Sequence, residues 1–445
     1  MLGQQLIDRI MGVSQISREL DTLVAAYTKQ GRFSGAVLVA QHGDILLSKG
    51  YGYADQDHDW QSNTPRTLFR IGSMSKPFTA IAMMQLVEQG QLSLGDTLST
   101  LLPDYPQGER ITIAHLLSNR SGIEDYVTTT EYERIQSARL STQELTGLFR
   151  DQPLRFAPGS NFGYSNSNWV LLALIVEQVT GQPFERVIRE RVLLPAGMRA
   201  SGLDWSSVRG GRSVGYIDTG AGMERAPLLD SSTMRGGGDI HSTIEDLYQW
   251  DRALYTDTLL PQATLRQMWT PLTELNGKGY GLGFERHTLH GHRSVGHSGG
   301  LPGYVSNIAR FIDDDATIIL VSNLGSAAWE QITDGLAAIL FGAPYTLPTK
   351  KTFVKVDPAV LTAYVGTYTM EYFERTAELR FTIEPDGLVM HTNGLPKAVL
   401  SALSDTRFYG RSKGEVEFAF VREHDGQVNR IDIVWAGYKL AAQRK

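Results

Sequence analysis

In the stretch Phe69-Arg70-Ile71-Gly72-Ser73-Met74-Ser75-Lys76-Pro77-Phe78-Thr79, a serine and a lysine stand three positions apart, just ahead of a proline. Proline fits only the first turn of a helix, so a helix must start close to Ser73, and Ser73 and Lys76 then share one face. A hydroxyl there gains from the positive end of the helix dipole as it becomes an oxyanion. A lysine beside it can take the hydroxyl proton if burial or a neighbouring cation lowers its pKa from about 10.4. A second candidate is the polar loop Pro158-Gly159-Ser160-Asn161-Phe162-Gly163-Tyr164-Ser165-Asn166-Ser167-Asn168, which opens onto an apolar run from Trp169. Tyr164 and Asn166, two apart, can both point into one cleft. The phenol could relay a proton to a leaving group, and the amide could hold both a lysine and a substrate carbonyl. The third is Gly296-His297-Ser298-Gly299-Gly300, where glycine lets backbone N–H groups approach a ligand closely, as an oxyanion hole requires. The first two features also have plain readings: a capping serine with a surface lysine, and an N-capping Asn/Ser run with a packing tyrosine.

Composition narrows the chemistry. The chain has 445 residues and no cysteine, which excludes disulfides, thiolate nucleophiles, zinc knuckles and iron–sulfur sites. Covalent catalysis would therefore use oxygen or nitrogen nucleophiles. Lys plus Arg is 42 against 48 for Asp plus Glu, a net charge of −6 with no basic block, which argues against a nucleic-acid or anionic-membrane partner. The longest apolar run, Trp169 to Val176, falls far short of the ~18 residues of a membrane span. Asp8 and Arg9 interrupt the first apolar cluster, so no signal peptide is read and a cytoplasmic location is expected, or a periplasmic or secreted one if the chain is a processed form.

The elements that must position these residues follow from periodicity. Ile16, Leu20, Leu23, Val24 and Tyr27 predict an amphipathic helix over 15–30, capped at Gly31. A hairpin follows, with arms Gly35–Ala40 and Ile45–Gly52. From Ser73 to about Met198 the texture is helical, with helices at Phe78–Gln89, Ile113–Leu117, Thr142–Phe149 and Trp169–Val179. Strands return at Val305–Ile312 and Thr317–Ser322, followed by a helical stretch from Ser326 to Phe341. This order suggests a sheet closed by two terminal segments and flanked by an all-α lobe. After Pro344, Pro348 and Lys350-Lys351 come short alternating runs at Tyr364–Met370, Ala377–Ile383, Leu388–Thr392, Val416–Val421 and Ile431–Trp435. Turns at Asp386-Gly387, Asn393-Gly394 and Asp425-Gly426 separate them, as in a small all-β barrel or sandwich.

Ser73-x-x-Lys76, Tyr164-x-Asn166 and His297-x-Gly299, in that order, resemble the three motifs of the serine β-lactamase and penicillin-binding protein superfamily. The branch is that of class C β-lactamases, family S12 D-alanyl-D-alanine carboxypeptidases, D-aminopeptidases and related esterases. The likeness runs from about 15 to 342 and includes Thr112-Ile113-Ala114-His115-Leu116-Leu117-Ser118-Asn119-Arg120-Ser121-Gly122-Ile123. It implies an α/β (α+β sandwich) β-lactamase/transpeptidase-like catalytic domain with an all-α lobe over 1–345. The run 355–445 resembles the lipocalin-like all-β barrel attached to some members. Carried over by position, the resemblance implies an acyl-enzyme on Ser73, with Lys76 and Tyr164 sharing the general-base and general-acid work and Asn166 orienting Lys76 and substrate. His297 stands where class C β-lactamases hold a lysine, and would donate to or polarise Tyr164. The backbone N–H groups of Ser73 and Gly300, beside Gly299, would form the oxyanion hole. No cofactor and no metal are expected.

A neutral histidine and Gly300 offer less to a substrate carboxylate than a lysine and a hydroxyl residue, although Ser298 or an arginine could compensate. The expected substrates are therefore esters, small amides, or peptides cut near an N-terminal D-residue. The alternatives are a β-lactamase or D-Ala-D-Ala carboxypeptidase of the same superfamily, and a catalytically silent penicillin-binding or scaffold protein.

Four other patterns invite different readings. Gly211-Arg212-Ser213-Val214-Gly215 and Gly296-His297-Ser298-Gly299-Gly300 match the G-x-S-x-G elbow but lack its strand–turn–helix setting. His287, His290, His292 and His297 with Glu285 suggest a metal cluster, but residues of mixed parity on a hairpin face opposite ways. Gly236-Gly237-Gly238-Asp239 resembles a phosphate loop without its GK[ST] ending. Ser242-Thr243-Ile244-Glu245 reads as a capping box.

Overall fold

The structure is a computed structural model describing every residue except Met1, 58–60, 219–221, 276, 373–374, 393–396, 413, 424–426 and 436–437, with backbone alone for 2–13. The turns expected at Asn393-Gly394 and Asp425-Gly426 fall on residues outside that description.

Eight antiparallel strands form the first sheet: β1 (Gly35–Gln41), β2 (Asp44–Tyr51), β3 (Thr273–Leu275), β4 (Lys278–Tyr280), β5 (Glu285–Leu289), β6 (His292–Leu301), β7 (Tyr304–Phe311) and β8 (Ala316–Ser322). Their spatial order is β2-β1-β8-β7-β6-β5-β4-β3, so the first hairpin of the chain pairs with the last strand of this sheet, Gly35 facing Ser322 and Gln41 facing Ala316. Central strands covered on both faces read as unbroken apolar runs, and β1 alternates between two cores. Val37 and Val39 pack against α1 (Leu2–Lys29) and the helix Trp329–Leu340, whereas Ala36 and Leu38 face a larger core shared with α2 (Lys76–Glu88) and α3 (Ser167–Thr180). Helix α1 begins well before the residue-15 start expected from periodicity, and ends on Lys29, one residue short of the expected end.

Helices α2 and α3 are buried on nearly every side, so neither shows the amphipathic stripe of a surface helix. A buried Arg310–Asp251 pair, 2.6 Å, anchors β7 to the helix Ile244–Ala253 and stacks the guanidinium over Tyr255 and Trp269. That helix is capped by Thr243, whose hydroxyl accepts from the Asp246 N–H, while Ser242 belongs to a short strand. The capping frame expected at Ser242-Thr243-Ile244-Glu245 is thus shifted by one residue.

The tail forms a nine-stranded antiparallel sheet whose two terminal strands, Ala398–Val399 and Ser401–Ala402, are separated only by Leu400, which makes it a nearly closed barrel. Its interior is aromatic, with Tyr364 and Phe420 stacked at 4.2 Å and Phe381, Phe408 and Phe418 around them. Arg407–Ser412 and Tyr438–Arg444 are strands the sequence reading did not anticipate. The barrel docks through a buried two-pronged ion pair of Arg32, just beyond α1, with Glu415, its Nη2–Oε2 arm 2.6 Å. Among the described residues no helix is long and apolar enough to cross a membrane.

Candidate active site

Ser73 sits in a single 3-10 turn, Gly72–Ser75, that runs straight into α2 at Lys76 with Pro77 in its first turn. It is the half-buried residue of a turn otherwise buried. Lys76 is wholly buried, and its Nζ reaches three acceptors: Ser73 Oγ at 3.0 Å, Asn166 Oδ1 at 2.8 Å and the Gly237 carbonyl at 2.8 Å. Burial pushes the Lys76 ammonium down to about 7, with Asp125, Glu285 and Asp239 opposing the shift. Two of the three acceptors, an amide oxygen and a carbonyl, can only accept. When Lys76 is neutral, its two remaining protons satisfy those two, and its lone pair is left facing the one partner that can give up a proton, Ser73.

Asn166 is itself held. Asp125, buried, accepts from the Asn166 backbone N–H at 3.0 Å and from its Nδ2 at 3.2 Å, which turns the amide oxygen toward Lys76. Tyr164 lies over the same group, its ring centre 4.9 Å from Lys76 Nζ. The glycine run 236–238 wraps the other side: the Gly237 carbonyl takes Lys76, and the Gly236 carbonyl accepts from Thr79 Oγ1 at 2.7 Å. The supposed phosphate loop is therefore the floor under Lys76.

Strand β6 closes the cleft. A Cβ on Gly299 would lie 2.0 Å from the Ile71 carbonyl, and one on Gly72, whose φ is +53°, would lie 2.9 Å from the Gly300 nitrogen. These close approaches bring the Gly300 backbone beside the Ser73 turn, while the side-chain position of Gly300 faces open space. Tyr164, Tyr280, His297 and Gly300 line a cavity of about 1140 Å³ whose far wall includes Trp329 and, from the barrel, Trp435.

His297 is buried, with Nδ1 2.6 Å from the Ser298 carbonyl and Nε2 3.2 Å from the Tyr280 hydroxyl. A carbonyl only accepts, so Nδ1 carries the proton, and in the neutral ring Nε2 accepts from Tyr280. Burial keeps the imidazole below its ordinary value of 6.5 although Glu285 draws it upward, and burial pushes the Tyr280 phenol well up, so it stays a donor. The expected donation from His297 to Tyr164 is replaced by this closed arrangement. Ser298, offered above as a compensating hydroxyl, donates instead to Glu285 at 3.3 Å. Ser213 is remote in function too: it is buried and donates to the Leu68 carbonyl. The other three histidines of the supposed cluster are held separately, His287 on Glu285, His290 on the Asp334 carbonyl and His292 on Asp314, stacked against Phe341.

The site thus gathers Ser73, Lys76, Tyr164 and Asn166 in one cluster, with His297, Gly299 and Gly300 on the opposing strand. Asp125, Gly237, Tyr280 and Glu285 were missed as parts of it. The Beta-lactamase family model matches residues 20–342. The chain belongs to the Beta-lactamase family. It is a serine hydrolase of the penicillin-binding-protein-like kind. Penicillin-binding protein 4* of Bacillus subtilis (strain 168) is 32% identical over 90% of this chain and 93% of its own. A D-aminopeptidase of Gluconobacter oxydans (strain 621H) is 28% identical over 79% of this chain and 65% of its own. Among solved structures, the penicillin binding protein from Bacillus halodurans superposes with a TM-score of 0.64, at 28% identity over 72% of this chain and 98% of that one.

Proposed function

We propose that this hydrolase works through an acyl-enzyme on Ser73 and cleaves esters or amide bonds of small substrates, including those of D-residues. The observation that carries the reading is the Lys76 lone pair, fixed by Asn166 and the Gly237 carbonyl to face Ser73 Oγ at 3.0 Å. Lys76 takes the Ser73 proton as Oγ attacks the substrate carbonyl. The N–H groups of Ser73 and Gly300 hold the oxyanion. Tyr164, over the lysine, passes a proton to the leaving group as the carbonyl–heteroatom bond breaks and takes one back from Lys76, which leaves the lysine neutral again. Water then attacks the ester, giving a proton to Lys76, and that proton goes to Ser73 Oγ as the acyl–oxygen bond breaks. The D-residue preference draws on the likeness to a D-aminopeptidase.

The test is a neutral fluorophosphonate probe followed by peptide mapping. The label is expected on Ser73, to vanish in Ser73→Ala and to persist in Ser213→Ala. Labelling that survives Ser73→Ala would remove the proposal.

A further inference from the structure

We infer that Glu285 is a specificity-determining residue that closes the Ser298 end of the cleft to substrates bearing a carboxylate there, so that the preferred substrates are uncharged amides and esters at that end. This rests on the Ser73 reading above and deepens it. Strand β5 begins at Glu285, opposite Gly296, so from His297 to Leu301 the outer edge of β6 has no strand beside it and borders the cavity. An open strand edge offers N–H groups to a ligand, and the hydroxyl of Ser298 stands ready beside them.

Glu285 has taken those donors. Its carboxylate accepts from the Ser298 N–H at 3.1 Å, from Ser298 Oγ at 3.3 Å and from His287 Nε2 at 3.2 Å. The Ser298 carbonyl is closed in turn by His297 Nδ1. Both backbone groups of Ser298 are therefore committed inside the protein, and the next residue whose side-chain position opens to the cavity is Gly300. The three donors that could have met a substrate carboxylate meet the protein's own carboxylate instead. Burial alone would push Glu285 up, but the imidazoles of His297 and His287 and the Ser298 N–H outweigh it and hold the group below the usual carboxylate range. The group is thus an anion at neutral pH.

Lys278, on the cavity wall, faces both Glu285 and Glu330, and burial pushes the Glu330 carboxyl up to about 7, so the lysine offsets part of the Glu285 charge, while the Ser298 donors stay occupied by Glu285 whatever the balance. Lys76 is buried among its own acceptors. Two carboxylates brought together in a half-closed cleft repel strongly because the intervening dielectric is far below that of water. The missing lysine of the third motif is then one part of the selectivity, and the anion standing behind His297 is the other.

Two matched pairs of aryl esters test this: acetate esters of 3-hydroxybenzoate and 3-hydroxybenzamide, with the charge on the leaving group, and p-nitrophenyl esters of succinate and succinamate, with the charge on the acyl group. In wild type, kcat/KM at pH 7 is expected to favour the uncharged member of at least one pair by about tenfold or more. Glu285→Gln should bring that ratio within about threefold of unity, and Glu285→Asp, which keeps the charge, should preserve it. Equal rates within both pairs in wild type, which need no variant to fold, would overturn the inference, as would a ratio unchanged in Glu285→Gln. Loss of Ser73 labelling by the neutral phosphonate would instead strike the serine mechanism and leave a different signature.

Discussion

Two buried bases face each other across the cleft, and their surroundings differ in one respect that decides what each can do. Lys76 on the α2 side has two obligate acceptors and one partner able to donate, so its neutral form has somewhere useful to aim a lone pair. His297 on the β6 side has an obligate acceptor at Nδ1 and a committed donor at Nε2, so its neutral form has nothing left to offer. Both are desolvated and both are shifted toward neutrality. Burial therefore creates the neutral base in both cases, and the hydroxyl that its lone pair faces decides the rest: Ser73 is half-buried, whereas Tyr280 is buried with its phenol pushed well up.

The strongest way to break the contrast is Lys76→Met, expected to lower kcat/KM for a neutral ester by roughly 10³–10⁴-fold, the upper range for general acid–base catalysis. The same change should raise the melting temperature, because an amine desolvated in the core is replaced by an apolar side chain of similar length. A thermal melt beside the assay would separate the two effects; equal loss of both would point to misfolding instead.

Next in size is Asp125→Ala. Freeing the Asn166 amide to rotate should cost on the order of 10²-fold in kcat, the scale of a small misplacement of a catalytic group. Asp125→Glu would sharpen the comparison if it recovers part of the rate, since a purely structural loss would not be recovered.

The pH profile carries a sign. A lysine acting as base must be unprotonated, so kcat/KM should be level above about pH 7 and fall roughly tenfold per unit below it, tracking Lys76. A limb centred instead near the ordinary histidine value and abolished in His297→Gln would reverse the assignment of the two bases. The smallest effect is expected from Tyr280→Phe. Removing one donor from an already closed imidazole should change kcat by about threefold or less, near the net worth of a single hydrogen bond. A hundredfold loss would show that Nε2 takes part after all.

Much of this was legible before the structure. The β1–β2 hairpin, the helix Ile113–Leu117, the α2 start near Ser73 and the strands Tyr304–Phe311 and Ala316–Ser322 all announce themselves through local periodicity and punctuation. The barrel was legible as texture, but Arg407–Ser412 and Tyr438–Arg444 carry too many polar residues to stand out from the intervening turns. The site was half legible. Ser73, Lys76, Tyr164 and Asn166 lie in short motifs with a chemical logic of their own. Asp125 reaches Asn166 across 41 positions, and Glu285 meets Ser298 across 13, and no local pattern encodes either meeting. Glu285 was noticed as a possible metal ligand, because carboxylate among imidazoles suggests a cation site. Its actual partners are hydrogen-bond donors from the strand beside it.

The glycine run 236–238 has a consequence for how this enzyme can change by mutation. A methyl group at 236 would lie 2.5 Å from the Trp169 carbonyl, where φ is already +71°, and one at 237 would stand 3.2 Å from the Trp169 Cβ and 3.4 Å from Lys76 Nζ. Position 238 is looser, with its nearest neighbour, the Met234 Cβ, at 3.5 Å. A saturation library over these three codons should therefore divide unevenly, with almost no active clones altered at 236 or 237 and a scatter of survivors, mostly alanine and serine, at 238. Selection for new substrates would have to act on the walls of the cleft, because its floor has almost no room for variation.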